Sequence, residues 1–379
     1  MSSKILLSIA IPTYNRAAFL KNLLDNIVSQ VSEVRDKVEI CISNNGSTDN
    51  TREVVMNFKK KYPDLIKYNE NEENLGFDKN LLKVMNMAGG KFVWTFSDDD
   101  LIVKDGIKRV IKLIEKNKDK KVGGMAVKDS SYVFDFKAGK KIKYHSSVDE
   151  NKPQTYGGAG LVKILQGDVP YRFISALLFN NKLLKKILGE KPDLVKRGIG
   201  SYYFHSWIYL LMFLLNKDAE YRVLNEDIVT TPDAVPKYKF IMEDHFELIY
   251  KGNFKFFDNL LSIASGADKY IKDTIKKKKK RSILGIILAM ALFKAFGVYN
   301  YTSCARCIKL SFKYFPFFNA IFISVSLILV SIIPSPIIKK LYKIYLKFRL
   351  KEKAESTWLE TYTQFTYWNQ SDSNRRITK

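Results

Sequence analysis

Ile5-Leu6-Leu7-Ser8-Ile9-Ala10-Ile11-Pro12-Thr13-Tyr14-Asn15-Arg16 is the stretch on which the fold class turns. The run up to Ile11 is apolar except for Ser8. That predicts a strand buried on both faces, as in a parallel sheet. Pro12 is expected to stop it, and residues 13–16 then form a polar loop. Residues 17–30 place Phe19, Leu20, Leu23, Leu24, Ile27 and Val28 at helical spacing. A second strand is read over residues 38–42, ending in Ser43-Asn44-Asn45-Gly46-Ser47-Thr48-Asp49, a turn rich in helix-capping residues. A helix over 50–61, a short strand over 65–68 and a helix over 77–88 closed by Gly89-Gly90 follow. Residues 91–96 form a strand running into Ser97-Asp98-Asp99-Asp100, and 105–117 a helix. Strands alternating with helices imply an α/β domain with a mostly parallel sheet. Ligands of such sheets sit beyond the carboxyl ends of the strands. The loops after residues 12, 42 and 96 should therefore meet on one edge.

Three adjacent carboxylates at 98–100 repel one another and call for a compensating cation. A hard divalent ion, Mg²⁺ or Mn²⁺, binds through one or two carboxylates plus substrate phosphates and suits this cluster. A solvated acidic turn is the plain alternative. His145, His205 and His245 are far apart and form no HExxH pair. Neither a GxxxxGK[ST] loop nor a GxGxxG follows the first strand, which removes support for P-loop hydrolysis and dinucleotide binding. Cys41, Cys304 and Cys307 are too few for a disulfide framework, and the lone CxxC at 304–307 has no second pair for zinc. No secretory signal is read at the start.

The net charge is +24, and residues 271–379 hold 21 Lys and Arg against 5 Asp and Glu, which is +16 of it. Residues 276–281 are Lys-Lys-Lys-Lys-Lys-Arg, an apolar run covers 283–293, and residues 314–338 are uncharged. The 314–338 stretch is long enough to cross a bilayer, which needs about 20 apolar residues. Pro334 and Pro336 would break its helix, so interfacial or re-entrant insertion is the alternative, and two core helices of a soluble subdomain the third reading. Basic residues beside apolar runs favour an anionic membrane surface over nucleic acid as the partner. The expected divisions are 1–235, a catalytic α/β domain; 236–353, a helical, basic and apolar region associated with the cytoplasmic face of the cell membrane; and 354–379, a polar tail.

Ile11-Pro12-Thr13-Tyr14-Asn15-Arg16, Asn45-Gly46-Ser47-Thr48-Asp49, Asn74-Leu75-Gly76 and the aspartates at 98–100 together resemble family 2 glycosyltransferases of the GT-A fold, over about residues 4–115. Ser43-Asn44-Asn45-Gly46, Asn74-Leu75-Gly76-Phe77-Asp78 and the aromatic strand before the aspartates look like the abequosyltransferase-like enzymes of surface-polysaccharide synthesis. The resemblance implies a metal-dependent transfer of sugar from a nucleoside diphosphate sugar to an acceptor hydroxyl, on a lipid-linked glycan. It puts Pro12, Thr13 and Tyr14 against the base and ribose, Asn44 or Asn45 on the base edge, and Lys79 and Asn80 near the donor. It puts Asp99 and Asp100 at the ribose and metal, with Asp98 in support. The Glu-Asp pair that inverting members offer as base is missing from Gly200-Ser201-Tyr202-Tyr203-Phe204-His205-Ser206-Trp207. His205 is the substitute, as base, diphosphate ligand, metal ligand or core histidine, and Asp129 is a second candidate base. A sugar nucleotidyltransferase and a degenerate transferase acting as a membrane scaffold are the competing readings.

Overall fold

The computed structural model describes residues 5–117, 121–135, 140–145, 155–156, 161, 164–165, 173–230, 246–247, 250–264, 267, 269–295 and 301–350. The chain forms two compact units. One comprises Met1–Ser131, Tyr144–Asp233 and Ile263–Thr274; the other Tyr132–Lys143, Ala234–Ser262 and Ile275–Lys379. The 235/236 division read from the sequence and the 354–379 tail fall outside the described residues, as does the glycine-rich stretch at 157–160.

The first unit opens with the alternation expected of it: β1 (Leu7–Thr13), α1 (Ala17–Val28), β2 (Val38–Asn44), α2 (Thr51–Lys61), β3 (Ile66–Glu70), α3 (Phe77–Met87), β4 (Phe92–Thr95), β5 (Leu101–Ile102) and α4 (Gly106–Lys116). Then follow β6 (Val122–Asp135), β7 (Lys140–His145), β8 (Thr155–Tyr156), β9 (Leu177–Asn180), α5 (Asn181–Glu190), α6 (Pro192–Gly198), α7 (Phe204–Leu215) and β10 (Glu220–Thr230), of which β6 from Tyr132 on and β7 up to Lys143 belong to the second unit. The sheet order is β3-β2-β1-β4-β9-β6-β10-β5, with β7 beside β6 and β8 beside β10. β3, β2, β1 and β4 run parallel, β9 is antiparallel to β4 and β6, and β10 returns parallel to β6. β1 and β2 are buried at every position, as a strand covered on both faces must be. α1 buries Leu20, Leu23, Leu24 and Ile27 on one stripe against Ile9, Ile11 and Ile42 of the same core. Each such side chain contributes about 1.5–3 kcal/mol relative to exposure.

Pro12 does not end β1, contrary to the sequence reading. It pairs in register with Ser43, and Thr13 with Asn44. Along a parallel strand, alternate residues bond to opposite neighbours. Ala10 O accepts from Phe96 N on the β4 side, and Thr13 O from Asn45 N on the β2 side. Pro12 shares the side of Ala10, and the β4 register stops at Ala10↔Thr95. Its missing N–H therefore removes no ladder bond.

At the amino edge of the sheet, Glu39 is buried and accepts from Ser8 Oγ at 2.6 Å, Gly89 N at 2.6 Å and Lys67 Nζ at 2.7 Å. Burial would push this carboxyl up, but Lys67, Ser8 and Gly89 bring it below its ordinary value.

Apart from the strand residues within 132–143, the described part of the second unit is helical: α8 (Phe256–Ile263), α9 (Lys269–Ala295), α10 (Tyr301–Tyr314), α11 (Phe317–Ile332) and α12 (Ser335–Leu350), of which α8 and α9 each run on into residues of the first unit. Its core joins Phe246, Phe254, Ile286, Met290, Cys307, Phe315, Ile323 and Leu327. Cys304 and Cys307 are in no disulfide and are buried in this core, so they pack as small side chains. The lysine run and the apolar run after it are one continuous helix, α9. The 314–338 stretch is not one helix: α11 ends at Ile332, and the chain bends by 114° into Ser335. Sixteen residues rise about 24 Å, short of a hydrocarbon core of about 30 Å. Among the described residues no single helix is long and apolar enough to cross a membrane.

Gly90 tests the packing of the amino edge. A Cβ there would lie 2.8 Å from Ser8 Oγ, 2.9 Å from Ser8 N and 3.0 Å from Leu7 C. Gly90→Ala is expected to lower unfolding stability by about 1–3 kcal/mol, read from the midpoint of a urea titration at unchanged slope.

Candidate active site

The carboxyl ends of β1, β2 and β4 do bring their three loops together. Asn15 N donates to Ser47 Oγ at 2.9 Å, and Thr48 N to Asn15 Oδ1 at 2.7 Å. Asn15 has φ 52°, a left-handed value that Asn tolerates. Asp49 accepts from Ala17 N at 3.0 Å and from Thr51 N at 3.1 Å, so one carboxylate serves the first turns of α1 and α2. Asp49 is exposed; the slight desolvation it does feel is overcome by the bonds from Thr51 and Ala17, which hold its pKa below the ordinary value.

Within the 98–100 triplet, the compensating cation supplied by the chain itself is Arg16. Its Nη1 lies 3.0 Å from Asp98 Oδ1 and 2.5 Å from Asp99 Oδ2. The sequence alone assigns Arg16 no role. A basic residue three positions past a buried strand's end is the available signal. Asp98 also accepts from Thr13 Oγ1 at 2.7 Å. Asp98 is 5 % exposed, and burial pushes its carboxyl up to about 6, with the Asp99 charge adding to this and Arg16 and Thr13 opposing it. Burial would lower Arg16, but Asp98 and Asp99 raise it above its ordinary value. Asp99 is about one-quarter exposed at its side chain and accepts from Ser97 Oγ at 2.5 Å. Asp100 is 3 % exposed and accepts from Ser175 Oγ at 2.6 Å. Ser175 arrives just before β9, and Ser97 N donates to the same Oγ at 2.9 Å. Nothing in the irregular pattern before residue 177 pointed to Ser175.

Among the described residues no three His, Cys, Asp or Glu side chains gather for one ion. The donor set nonetheless fits Mg²⁺ or Mn²⁺ held by one or two carboxylates and completed by phosphate oxygens. Asp99, with its solvent-reaching carboxylate, fits this first; Asp100 is buried against Ser175.

Pro12 and Thr13 are buried and Tyr14 is 40 % exposed at the same edge. Asn44 and Asn45 lie in a network of amides. Asn44 Nδ2 donates to Tyr68 Oη at 3.1 Å and Glu70 Oε1 at 3.3 Å, while its Oδ1 accepts from Ser47 N. Asn45 donates to Asn74 Oδ1 at 2.8 Å and accepts from Asn71 Nδ2 and Leu75 N. Asn80, 2 % exposed, accepts from Ser43 Oγ and Asn71 Nδ2 and donates to Ser43 O. These bonds tie β2 to the 71–76 loop and α3. Lys79, by contrast, is exposed on the first turn of α3.

His205 is 3 % exposed in the first turn of α7, its ring 6.0 Å from that of Tyr203. Asp129 lies on β6 opposite Val229, and its side chain lies outside the description. The segment before α7 is held from α3: Asp78 Oδ2 accepts from Gly200 N at 2.7 Å and Tyr202 N at 3.2 Å. Burial raises the Asp78 pKa against the pull of the backbone N–H groups of Gly200, Tyr202, Phe204 and Ser201. Tyr202 sits at φ 62° and is 48 % exposed, a conformation costly for a bulky residue and sustained by this clamp.

The raised Asp98 pKa makes stability depend on pH. A folded value of about 6 against an ordinary 3.8 means that the folded state holds the proton more tightly. The contribution is full below about 3.8 and is lost as pH rises through about 6. Relative to Asp98→Asn, the wild-type melting temperature in EDTA should fall over that window. Asp78→Asn puts a donor where N–H groups converge, and is expected to cost about 1–3 kcal/mol in a denaturant titration.

Residues 8–188 match the family model for Glycosyl transferase family 2. The abequosyltransferase RfbV of Salmonella typhimurium is 42 % identical over 103 residues, 27 % of this chain and 31 % of that protein. The matches to the first relatives span about a third of those relatives' length. A Campylobacter jejuni GalNAc(5)-diNAcBac-PP-undecaprenol beta-1,3-glucosyltransferase is 25 % identical over 346 residues, 89 % of this chain and 97 % of that one. The crystal structure of Staphylococcus aureus TarS aligns with TM-score 0.55 at 15 % identity, over 97 % of this chain and 92 % of that chain. The mannosyltransferase PcManGT of Pyrobaculum calidifontis, in complex with GDP-Man and Mn²⁺, aligns with TM-score 0.52 at 19 % identity, over 97 % and 88 %. Residues 8–188 are thus a domain of glycosyl transferase family 2, built on a GT-A-like fold.

Proposed function

We propose that the chain is a metal-dependent glycosyltransferase that moves a sugar from a nucleoside diphosphate sugar to a hydroxyl of a lipid-linked glycan in surface-polysaccharide synthesis. The observation that carries this is the junction of Thr13, Arg16, Asp98 and Asp99 at the carboxyl edge of β1 and β4. Arg16 holds two carboxylates side by side against their repulsion, so the acidic edge is formed before any ligand arrives. Asp99, with the neighbouring Asp100, would hold Mg²⁺ or Mn²⁺, which supplies neutralising charge to the leaving diphosphate. Pro12, Thr13 and Tyr14 line the side where the base and ribose would lie. Asn44 and Asn45 shape that wall through their backbone and the amide network, and exposed Lys79 offers a cation to the donor. His205, in the first turn of α7, is our candidate for taking the acceptor proton, with Asp129 the second. The PcManGT complex with GDP-Man and Mn²⁺, a TarS structure with UDP-GlcNAc, and the undecaprenol-linked substrate in the Campylobacter enzyme's name support the donor, metal and acceptor classes.

The second unit supports a place at the membrane. α11 buries Ala320, Ile323 and Leu327 and exposes Phe318 at 83 %, Phe322 at 58 % and Leu329 at 56 %. An apolar face beside a lysine-rich helix suits an anionic bilayer surface at the cytoplasmic side, with α11 and α12 lying in the interface or re-entering it.

The test is a screen of UDP-, GDP-, CDP- and dTDP-sugars for donor turnover with and without EDTA. Turnover of one donor class is expected, abolished by EDTA and restored by Mn²⁺, with Asp99→Asn lowering it by about a hundredfold or more. Full turnover in EDTA would remove the metal from the mechanism, and no turnover of any donor would leave the scaffold reading standing.

A further inference from the structure

We propose that a cavity in the second unit, between the amino half of α9 and α11, binds the diphosphate headgroup of a lipid. The cavity has a volume of about 880 Å³. Lys276, Lys277, Lys280 and Arg281 line it from successive turns of α9, with Lys279 beside them. Spacings of one, four and five residues put the first four on one helix face. Among the described residues no acidic side chain lines the cavity. The nearby Asp258 pairs with Lys279, whose ammonium also lies 4.6 Å from the Phe254 ring centre, so that lysine is already committed. Like charges on adjacent turns destabilise a helix, and a bound anion would relieve that repulsion.

The rest of the lining is mostly apolar, and this selects a lipid over a soluble anion. Leu261, Ile283, Leu284 and Phe322 contribute to it, with Asn319 as a hydrogen-bonding group. Leu284 is 53 % and Phe322 58 % exposed, and Phe322 continues onto the exposed face of α11 through Phe318 and Val325. A chain leaving the headgroup would cover this surface, from which a free anion gains nothing. The density of cations selects the headgroup. A phospholipid diester offers one charge, whereas adjacent phosphoryl groups offer two on a compact group that several ammonium and guanidinium donors can share. This assignment rests on the lipid-linked acceptor proposed above and adds the part of the chain that grips it.

The experiment is co-sedimentation of the full-length chain with three vesicle preparations. One is phosphatidylcholine alone, one is doped with a polyprenyl diphosphate, and one is doped with phosphatidylglycerol to the same surface charge. Binding to the diphosphate vesicles is expected to be about tenfold tighter than to the charge-matched ones. K277E/K280E/R281E should remove that preference, and K277R/K280R should keep it. The melting temperature of each variant checks its fold. Should the triple variant melt early, K280E and R281E singly must each weaken the preference. Equal binding to the two charged preparations would reduce the site to a general anionic surface and overturn the assignment. So would full competition by inorganic pyrophosphate at micromolar concentration, or an unaltered preference in the folded triple variant. Donor turnover is measured separately on the wild-type chain. Turnover without lipid preference sinks the cavity assignment alone, and preference without turnover of any donor sinks the transferase reading alone.

Discussion

The Arg16 guanidinium between Asp98 and Asp99 is the interaction from which the active edge is built. Two carboxylates on neighbouring residues, one of them almost fully buried, would otherwise repel each other across a medium that screens poorly. Arg16 comes from the loop after β1 and the aspartates from the loop after β4, so the ion pair also joins two strand ends. Asp98 then reaches Thr13, which fixes the end of β1 itself. A strand end, a cation and an acidic edge are thus set by a single cluster. Its charges are arranged before any substrate supplies its own, which is what electrostatic preorganisation requires.

Around that cluster lies a layer whose work is positional. The amides of Asn45, Asn71, Asn74 and Asn80 share one another's hydrogen-bonding capacity and join β2 to α3. An Asn side chain can donate and accept at once, so a chain of them closes without a stranded polar group. Asp78 continues this from the first turn of α3 to the backbone before α7, the segment that carries His205. The amino edge carries its own buried polar centre, Glu39 with Ser8 and Lys67, so both ends of the strands are pinned by charge while their middles are apolar.

The βαβα alternation over the first 117 residues was legible because each element there is periodic and bounded by polar turns. Reading Pro12 as a strand stop came from treating proline as a general breaker; the strand's neighbours decide whether its N–H is needed, and sequence does not display neighbours. The convergence of the three loops could be read from strand order, but the partner of the acidic triplet could not. Carboxylates announce that they need a cation without saying whether it will be a bound ion or the guanidinium of Arg16, 82 residues away in the chain. Ser175 was illegible for a related reason: it belongs to the antiparallel β9 side of a mixed sheet, where no repeating pattern marks it. At the carboxyl end, hydropathy over residues 314–338 was read as one long apolar stretch with prolines near its end, and the backbone at Pro334 divides it in two.

The buried amide network has a consequence for the chemical lifetime of the chain. Asn45 precedes Gly46, the pairing in which a backbone nitrogen most readily attacks the neighbouring side-chain carbonyl and releases ammonia. Three hydrogen bonds fix the Asn45 amide, and Gly46 is held at φ 68° with Glu73 backbone packed where a Cβ would stand. A side chain so restrained cannot swing onto the following peptide nitrogen without breaking its bonds to Asn71, Asn74 and Leu75. The folded protein is thereby shielded from spontaneous ageing at its most vulnerable dipeptide, and that protection lapses only in molecules that have lost the native loop.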